Sequence, residues 1–185
     1  MQRTLDPARL GDHLDRLYRA AWALCGSRED AEDLVQETYA RVLARPRLLR
    51  NEDDLGYLLR VLRNTFLTRK RSESRRVRAS SSLDEIDLLP GPQAREPETA
   101  FAAGELYAAV SALPADFRDA LVAVDVTGLS YKEAARALRI PEGTLMSRVY
   151  RARLQVVRRI DGDETAPDQR RAVTTPVSTS SPDDP

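Results

Sequence analysis

The sequence predicts an all-α protein built from two small helical domains that are joined by a flexible linker. In both halves of the 185-residue chain, apolar residues recur every three or four positions, as they do on the buried face of a helix. No stretch shows the two-residue alternation that is typical of strands. Between the halves, residues 79–98 lose the helical period and become rich in Ser, Pro, Gly and acidic residues, which is the composition of a linker.

Residues 8–78 form the first predicted domain, and three helices account for its apolar pattern. The breaks between them, at residues 25–27 and 45–47, are short and contain Gly26 and Pro46. Short breaks favour helices that pack as neighbours in one bundle. The apolar positions fall in three runs: Leu14, Leu17, Tyr18, Ala21 and Trp22; Ala31, Leu34, Val35, Tyr39, Val42 and Leu43; and Leu55, Leu58, Leu59, Leu62 and Phe66.

Residues 99–160 form the second predicted domain, which is again helical. Pro114 suits the first turn of a helix, and Ser130 with Glu133 predicts a capping box at the start of a later one. Residues 161–185 are dominated by Thr, Ser, Pro and Asp. We expect this tail to be disordered, because it has too few apolar residues to offset the entropy lost on ordering.

Charge is balanced over the chain but sorted along it. Lys plus Arg and Asp plus Glu each number 29, so net charge alone argues against a dedicated nucleic-acid binder. Yet residues 60–78 and 132–159 are strongly basic, with arginines far outnumbering carboxylates. Two basic segments in a neutral chain predict two separate contacts with a polyanion.

The residues that build disulfides and metal sites are scarce. Cys25 is the single cysteine and His13 the single histidine, which excludes an intramolecular disulfide framework and a Cys/His zinc set. We expect a reducing, cytoplasmic location and no cofactor. No apolar run approaches the roughly 20 residues that cross a bilayer, and the start of the chain has no signal-peptide pattern.

Residues 130–153 have the pattern of a helix-turn-helix. A short helix is followed by a turn at Pro141 and Gly143 and then by a longer basic helix. Ala135 stands where the two helices would cross, and small side chains permit a close crossing. The second helix presents Thr144 and four other polar residues to the outside, and arginine there can bind guanine in the major groove with two hydrogen bonds. The outward residues are Thr144, Ser147, Arg148, Arg151 and Arg153.

Three motifs resemble those of bacterial sigma factors. The sequence of residues 128–131, followed by residues 140–144 and Ser147-Arg148, resembles the region-four domain. Residues 30–38, Asp-Ala-Glu-Asp-Leu-Val-Gln-Glu-Thr, resemble the region-two signature that docks on the polymerase clamp, and residues 57–66 are similar to the family's helix that recognises and opens the minus-ten element. Regions two and four in this order, with only a linker between them, resemble the extracytoplasmic-function group.

The resemblance implies a promoter-recognition subunit whose partners are core RNA polymerase, promoter DNA and an anti-sigma factor. It implies a protein that is monomeric when free and that performs no catalysis. Polymerase contacts would come from Asp30, Asp33, Leu34, Gln36 and Glu37. Minus-ten contacts would come from Asn51, Asp53, Tyr57, Arg60, Arg63, Asn64, Arg69, Lys70 and Arg71. Minus-thirty-five contacts would come from Tyr131, Lys132, Thr144, Ser147, Arg148, Arg151 and Arg153.

Three positions depart from the family pattern. Tyr57 stands where tryptophan is frequent, Arg139 where the turn usually has glycine, and Met146 where a basic residue commonly contacts DNA. If that turn needs a positive backbone angle, Arg139 strains it. Met146 removes one phosphate contact. The residues of this chain therefore do not predict which base sequence its minus-thirty-five element has.

Other interpretations remain at this point. The chain could be a stand-alone helix-turn-helix regulator whose first domain dimerises or senses a signal. The acidic and basic faces could be ordinary solvated surfaces, and Tyr57 an ordinary core aromatic. An enzyme is disfavoured, because the sequence offers no nucleophile and base pair, glycine-rich phosphate loop or metal set.

Overall fold

The computed structural model describes residues 2–44, 48–50, 53–80 and 98–161, and in these ranges it is almost entirely helical. The elements in chain order are β1 (Gln2–Thr4), a 3-10 helix (Pro7–His13), α1 (Leu14–Cys25), α2 (Arg28–Ala44), β2 (Leu48–Arg50), α3 (Asp54–Ser80), α4 (Glu98–Ser111), α5 (Ala115–Leu121), a π-helical turn (Val122–Val126), α6 (Tyr131–Leu138) and α7 (Glu142–Ile160). We call residues 2–80 the N-terminal unit and residues 98–161 the C-terminal unit. The all-α prediction is confirmed.

Several predictions fall on residues that are not described. The predicted break at residues 45–47, the candidate DNA contact Asn51, residues 81–97 of the predicted linker and residues 162–185 of the predicted disordered tail lie outside the described ranges.

The N-terminal unit is a bundle in which α1, α2 and α3 share one core. Gly26 ends α1 in the left-handed conformation at φ 78°, where glycine carries no steric cost, and its N–H donates to the Trp22 carbonyl at 2.7 Å. The chain reverses there into α2. Leu17, Leu34 and Leu58 are fully buried between the three helices, as their helical spacing predicts.

A short strand pair, which the sequence pattern does not signal, joins the residues before the 3-10 helix to the connection between α2 and α3. β1 and β2 pair antiparallel with Gln2 opposite Arg50 and Thr4 opposite Leu48. Three-residue strands are too short to show alternation. Nearby, the Tyr39 hydroxyl donates to the Leu10 carbonyl at 2.9 Å, so the 3-10 helix is fixed against α2.

The helix-turn-helix forms as the sequence predicts, with one difference in its turn. The capping box is present, because Ser130 accepts from the Glu133 N–H while Glu133 accepts from the Ser130 N–H. Arg139 ends α6 at φ 57° and ψ 45°, so the positive backbone angle is carried by a residue with a side chain. The expectation that Gly143 shapes the turn is wrong, because Gly143 lies inside α7.

The two units pack against each other. Helices α1 and α3 contact α4, α5 and α6, whereas the sequence suggested two separate domains on a flexible linker. Periodicity reports which face of a helix is buried but does not report what covers it. The packing brings residues of α3 against the helix-turn-helix unit, and the contacts involve several candidate site residues.

We predict that Arg139→Gly stabilises the protein by about 1 kcal/mol, because glycine adopts the left-handed conformation without the steric cost that a Cβ imposes. Urea unfolding followed by circular dichroism measures the change. As a control, Arg151→Gly, in the exposed interior of α7, should destabilise by about 1 kcal/mol. A loss of stability in Arg139→Gly would contradict the assigned strain.

Candidate protein and nucleic-acid interfaces

Four of the five residues on α2 that the sequence predicts to contact polymerase reach the surface, and we call these four the acidic stripe. The fifth, Leu34, does not. Asp30, Asp33 and Gln36 are exposed, while Glu37 is half-buried. Leu34 is completely buried in the core, so it supports the stripe from inside and contributes no surface for a partner. The expectation that Leu34 contacts a partner directly is wrong for this structure, because its helical position faces α1 and α3.

Glu37 lies in a network of ion pairs that joins α2 to α3. Arg41 donates to Glu37 Oε1 and Arg69 Nε to Glu37 Oε2, both at 2.6 Å. Arg69 also donates to the Asp33 carbonyl at 3.0 Å. Burial raises the pKa of Glu37, but the hydrogen bond from Arg69 and the charges of both arginines outweigh it and hold that pKa below its ordinary value. Arg69, expected to face DNA, therefore stabilises the acidic stripe.

On the basic face of α3, some side chains are hydrogen bonded to the C-terminal unit and others are exposed to solvent. Arg60 Nε donates to the Ala137 carbonyl at 3.3 Å, and Arg63 donates to the Asp119 carboxylate. Farther along the helix, side chains of the candidate set are exposed and face solvent. These are Asn64, Lys70 and Arg71.

Three of the minus-ten candidates, Asn51, Asp53 and Tyr57, could together form a pocket for a DNA base extruded from the helix, and the structure describes two of them. Asp53 is exposed at the start of α3, but Tyr57 has 7% of its surface exposed and packs in the core of the unit. In this arrangement Tyr57 acts as a core aromatic, one of the two alternatives that the sequence left open. A base could stack on Tyr57 only after its surroundings rearrange.

Asp119, on α5, is a buried charged group between the units, and nothing in the sequence pattern indicates it. Its side chain is 4% exposed and contacts Arg63, and Arg118 Nε lies 4.0 Å from its Oδ1. Burial raises the pKa of the Asp119 carboxyl, although the charges of both arginines oppose this. A lone Asp in a helix is normally a surface residue, so no sequence signal distinguishes this one.

Aromatic contacts extend the interface on both sides of Asp119. The Trp22 and Tyr107 rings are 4.5 Å apart between their centroids, which joins α1 to α4. The Arg118 guanidinium lies 5.0 Å from the centroid of the Phe66 ring, a cation–π distance. The two units are thus held at separate points along α1 and α3.

The recognition helix α7 buries one side and presents two others. Leu145, Val149 and Ala152 pack inside the unit. Ser147 and Arg151 are exposed on one outer side, Thr144 is half-buried beside them, and Lys132 is exposed and Tyr131 half-buried on α6. This side is polar and basic, as the sequence predicts for a surface that contacts DNA.

Two arginines of the candidate set are paired within the C-terminal unit. Arg148 donates to Asp116 at 2.6 Å, and Arg153 donates twice to Asp125, at 2.8 and 2.6 Å. Asp125 lies in the π-helical turn Val122–Val126, an element that periodicity does not reveal. The hydrogen bonds and charge of Asp125 raise the pKa of Arg153. Each arginine must leave its carboxylate before it can bind DNA.

The other outer side of α7 is apolar, which the sequence analysis did not anticipate. Met146, Tyr150 and Val157 are each more than half exposed and recur at helical spacing. Val157 also borders a groove of about 310 Å³ between α4 and α7, whose lining includes Leu106 and Val110. Contiguous exposed apolar side chains are typical of a surface that contacts another protein.

Metal-ligating groups and membrane-spanning helices are absent from the described residues. Within them, no group of three His, Cys, Asp or Glu side chains could hold a metal ion. Burial is the main cause that raises the pKa of Cys25 from 9.0 to about 11, so its thiol is protonated near neutral pH. No helix among the described residues is long and apolar enough to cross a membrane.

Two family models match the chain. One, described as "Sigma-70 region 2", matches residues 10–76, and the other, "Sigma-70, region 4", matches residues 103–156. These ranges cover most of the N-terminal and the C-terminal units.

Curated relatives and solved structures agree with these matches. The chain is 36% identical over 148 residues to the ECF RNA polymerase sigma factor SigE of Mycolicibacterium smegmatis, covering 78% of this chain and 57% of SigE. It is 36% identical over 149 residues to the ECF RNA polymerase sigma factor EcfG of Rhodopseudomonas palustris, covering 78% of this chain and 80% of EcfG. The sigma factor RpoE of Bartonella quintana, solved with the anti-sigma factor NepR, superposes with a TM-score of 0.66 at 27% identity, covering 84% of this chain and 96% of RpoE.

We predict that the Glu37 ion pairs stabilise the protein only above acidic pH. Because the folded-state pKa of Glu37 is lowered from 4.5, their contribution is present above that value and is lost as pH falls through the folded-state pKa. Glu37→Gln should therefore lower the free energy of unfolding by about 1 kcal/mol at neutral pH and have little effect near pH 3. Urea unfolding at both pH values tests this, and an equal loss at both would contradict it.

Proposed function

The chain belongs to the extracytoplasmic-function family of sigma factors, and from this we propose that it binds core RNA polymerase and directs initiation at promoters with specific minus-ten and minus-thirty-five elements. The observation that carries the proposal is that a region-two bundle and a region-four helix-turn-helix occur together in one chain, with a polar, basic side of α7 turned to solvent. We propose that the protein acts in the cytoplasm and performs no catalysis itself.

We assign the minus-thirty-five element to the polar side of α6 and α7. Thr144, Ser147 and Arg151 would enter the major groove, with Tyr131 and Lys132 on the preceding helix close to the backbone. Bidentate binding of guanine by arginine contributes about 1–3 kcal/mol of discrimination. Arg148 and Arg153 would join after exchanging Asp116 and Asp125 for phosphate or base, an exchange of like hydrogen bonds.

We assign the minus-ten element to α3. Asn64, Lys70 and Arg71 are exposed and can hold the backbone of melting DNA, and Arg60 and Arg63 would extend this surface once released from Ala137 and Asp119. Asn51, Asp53 and Tyr57 remain our candidates for the pocket of an extruded base. Extrusion costs a few kcal/mol, which stacking and hydrogen bonds to the base edge must offset.

We assign core polymerase binding to the acidic stripe of α2. Asp30, Asp33 and Gln36 are exposed there, and Glu37 is held in place by Arg41 and Arg69. An acidic surface repels DNA and suits a basic protein surface. Division of charge between α2 and α3 would therefore keep polymerase and promoter on different sides of the N-terminal unit.

We also propose control by an anti-sigma factor. The support is the structural match to RpoE of Bartonella quintana, which was solved in complex with the anti-sigma factor NepR. The exposed apolar side of α7 offers a surface for a protein partner. Co-purification of an anti-sigma factor with this protein from the source cells, and its inhibition of reconstituted transcription, would test this.

Reconstituted transcription decides between this proposal and a stand-alone helix-turn-helix regulator. The purified protein is added to core polymerase with fragments of the source genome, and the transcript starts are mapped. A sigma factor yields new run-off transcripts from defined starts. A repressor or activator yields none with core enzyme alone, and that result would overturn the proposal.

We predict that Asp30→Ala with Asp33→Ala weakens binding to core polymerase about tenfold, because each exposed charge at such a contact contributes up to about 1 kcal/mol. Fluorescence anisotropy of labelled protein titrated with core enzyme measures the affinity. Glu29→Ala with Glu32→Ala is the matched control, since it also removes two carboxylates and both residues are exposed on the same helix but outside the assigned set. Equal weakening by the control would reassign the effect to overall charge.

We predict that Arg151→Ala reduces transcription from a mapped promoter about tenfold and that mutating the upstream element has little further effect, because the side chain that discriminates its bases is gone. Arg158→Ala serves as the control, being exposed on the same helix near its end. If Arg151→Ala weakens binding to scrambled DNA just as much, Arg151 contacts phosphate instead of bases.

A further inference from the structure

Residues 2–13, which we call the leading segment, have no role in the proposed function. The segment comprises β1 (Gln2–Thr4) and the 3-10 helix (Pro7–His13), and none of the three candidate surfaces includes a residue from it. Its contacts nevertheless converge on the connection between β2 and α3. That connection carries two of the three candidates for the pocket of an extruded base.

The connection between β2 and α3 is three residues long. β2 ends at Arg50 and α3 begins at Asp54, so Asn51 directly follows the strand in the sequence and Asp53 directly precedes the helix. The Asp53 carbonyl accepts from the Tyr57 N–H at 3.0 Å, which joins the Asp53 backbone to the first turn of α3. Because so few residues have little reach, the course of the connection depends on where its two ends are held.

The leading segment holds the first end of the connection through β1. β1 and β2 pair antiparallel, with Gln2 opposite Arg50 and Arg3 opposite Leu49. The pairing therefore extends to the last residue of β2, immediately before the connection begins.

The same segment contacts the second end through Arg9. Arg9 Nη1 lies 4.0 Å from Asp54 Oδ2, and the Asp54 side chain is 3% exposed whereas that of Arg9 is 56% exposed. A cation on the 3-10 helix thus approaches, from the solvent side, a buried carboxylate at the first residue of α3. A nearby opposite charge offsets part of the cost of burying a carboxylate, so this contact favours the observed position of the start of α3.

The leading segment is itself anchored on the bundle. Leu10 is 8% exposed and Leu5 packs against the core. The Tyr39 hydroxyl donates to the Leu10 carbonyl at 2.9 Å, and Asp6 caps the 3-10 helix by accepting from the Ala8 N–H at 3.0 Å. A pair of three-residue strands is marginally stable by itself, and this anchoring keeps β1 where it can pair with β2.

We propose that the leading segment positions the minus-ten pocket, because it holds both ends of the connection that carries Asn51 and Asp53 before promoter DNA arrives. The inference rests on the proposed function, which assigns these residues to the pocket. A pocket whose backbone is already ordered binds its base more tightly, since the entropy of ordering is not lost at the moment of capture. The leading segment acts through the backbone of the connection and does not contact the base itself.

Arg3→Pro with Thr4→Pro tests the attachment through β1. Hydrogen-bonded and non-hydrogen-bonded positions alternate along an antiparallel strand, so one of these two neighbouring N–H groups belongs to the ladder, and proline removes both. Arg3→Ala with Thr4→Ala is the matched control, because it removes the same side chains and keeps the backbone N–H groups. Each variant is assembled with core polymerase. Fluorescence anisotropy then measures its affinity for a single-stranded oligonucleotide with the non-template minus-ten sequence of a promoter mapped with the unmodified protein, and for a scrambled one.

We expect the proline variant to bind the mapped oligonucleotide about tenfold more weakly and the scrambled one unchanged, because the exposed side chains of α3 that hold the DNA backbone are intact. The alanine variant should bind both as the unmodified protein does. Undiminished binding of the mapped oligonucleotide by the proline variant would overturn the positioning role. A parallel loss on both oligonucleotides would overturn it as well, because it would indicate general damage to the N-terminal unit.

Two further outcomes separate this inference from its alternatives. An equal loss in the alanine variant would overturn positioning through the backbone and indicate that the side chains of Arg3 and Thr4 contact DNA. If the unmodified holoenzyme shows no preference for the mapped oligonucleotide, the proposed assignment of the minus-ten element is wrong and the inference is lost with it.

Arg9→Ala tests the attachment at α3 in a variant that should keep its fold, because Arg9 is more than half exposed. We expect the ratio of affinities for the mapped and scrambled oligonucleotides to fall about threefold and Arg9→Lys to restore most of it, since lysine keeps the charge. Asp12→Ala is the matched control, because Asp12 Oδ2 lies 3.8 Å from Arg9 Nε and its removal leaves the contact with Asp54. Equal ratios in Arg9→Ala and Asp12→Ala would exclude the attachment at Asp54.

Discussion

The contact between Arg63 and Asp119 is the constraint on which the arrangement of this protein depends. It joins the helix that carries the minus-ten surface to the unit that carries the helix-turn-helix. A carboxylate with 4% exposure is stable in such a place only beside a cation, because its desolvation must be offset. Arg118 supplies a second positive charge at 4.0 Å. Among the contacts between the units, this requirement favours the position of the C-terminal unit that brings Asp119 to Arg63.

The protein uses its carboxylates in two different ways, which explains how a neutral chain can contact polyanions. Some carboxylates, such as Asp30 and Asp33, are exposed on α2. Others, such as Asp116, Asp119 and Asp125, hold arginines that the promoter would otherwise bind. Equal numbers of acidic and basic residues therefore do not oppose DNA binding here. Under the proposed function, arginines that are hydrogen bonded to carboxylates in the free protein would be transferred to phosphate in the complex.

The strained backbone of Arg139 and the π-helical turn Val122–Val126 both lie in the C-terminal unit, next to side chains that we assign to DNA binding. Arg139 adopts a left-handed conformation that fixes the angle between α6 and α7, and the π-helical turn carries Asp125, which holds Arg153. Such features have an energetic cost that the surrounding packing must offset. Their position beside the recognition helix suits a surface whose geometry must be defined before DNA arrives.

The sequence by itself determined the helical composition, the capping box at Ser130, the helix-turn-helix and the family, because each depends on residues a few positions apart. Periodicity likewise identified the polar outer side of α7 but not its apolar outer side. It could not decide whether Tyr57 is a core aromatic or faces a DNA base, because burial depends on what packs from other elements. Only the tertiary structure decided which arginines already have partners. Arg63 and Asp119 are 56 positions apart and Arg69 and Glu37 are 32 apart, and pairing over such distances is set by how the helices pack, which local pattern does not encode.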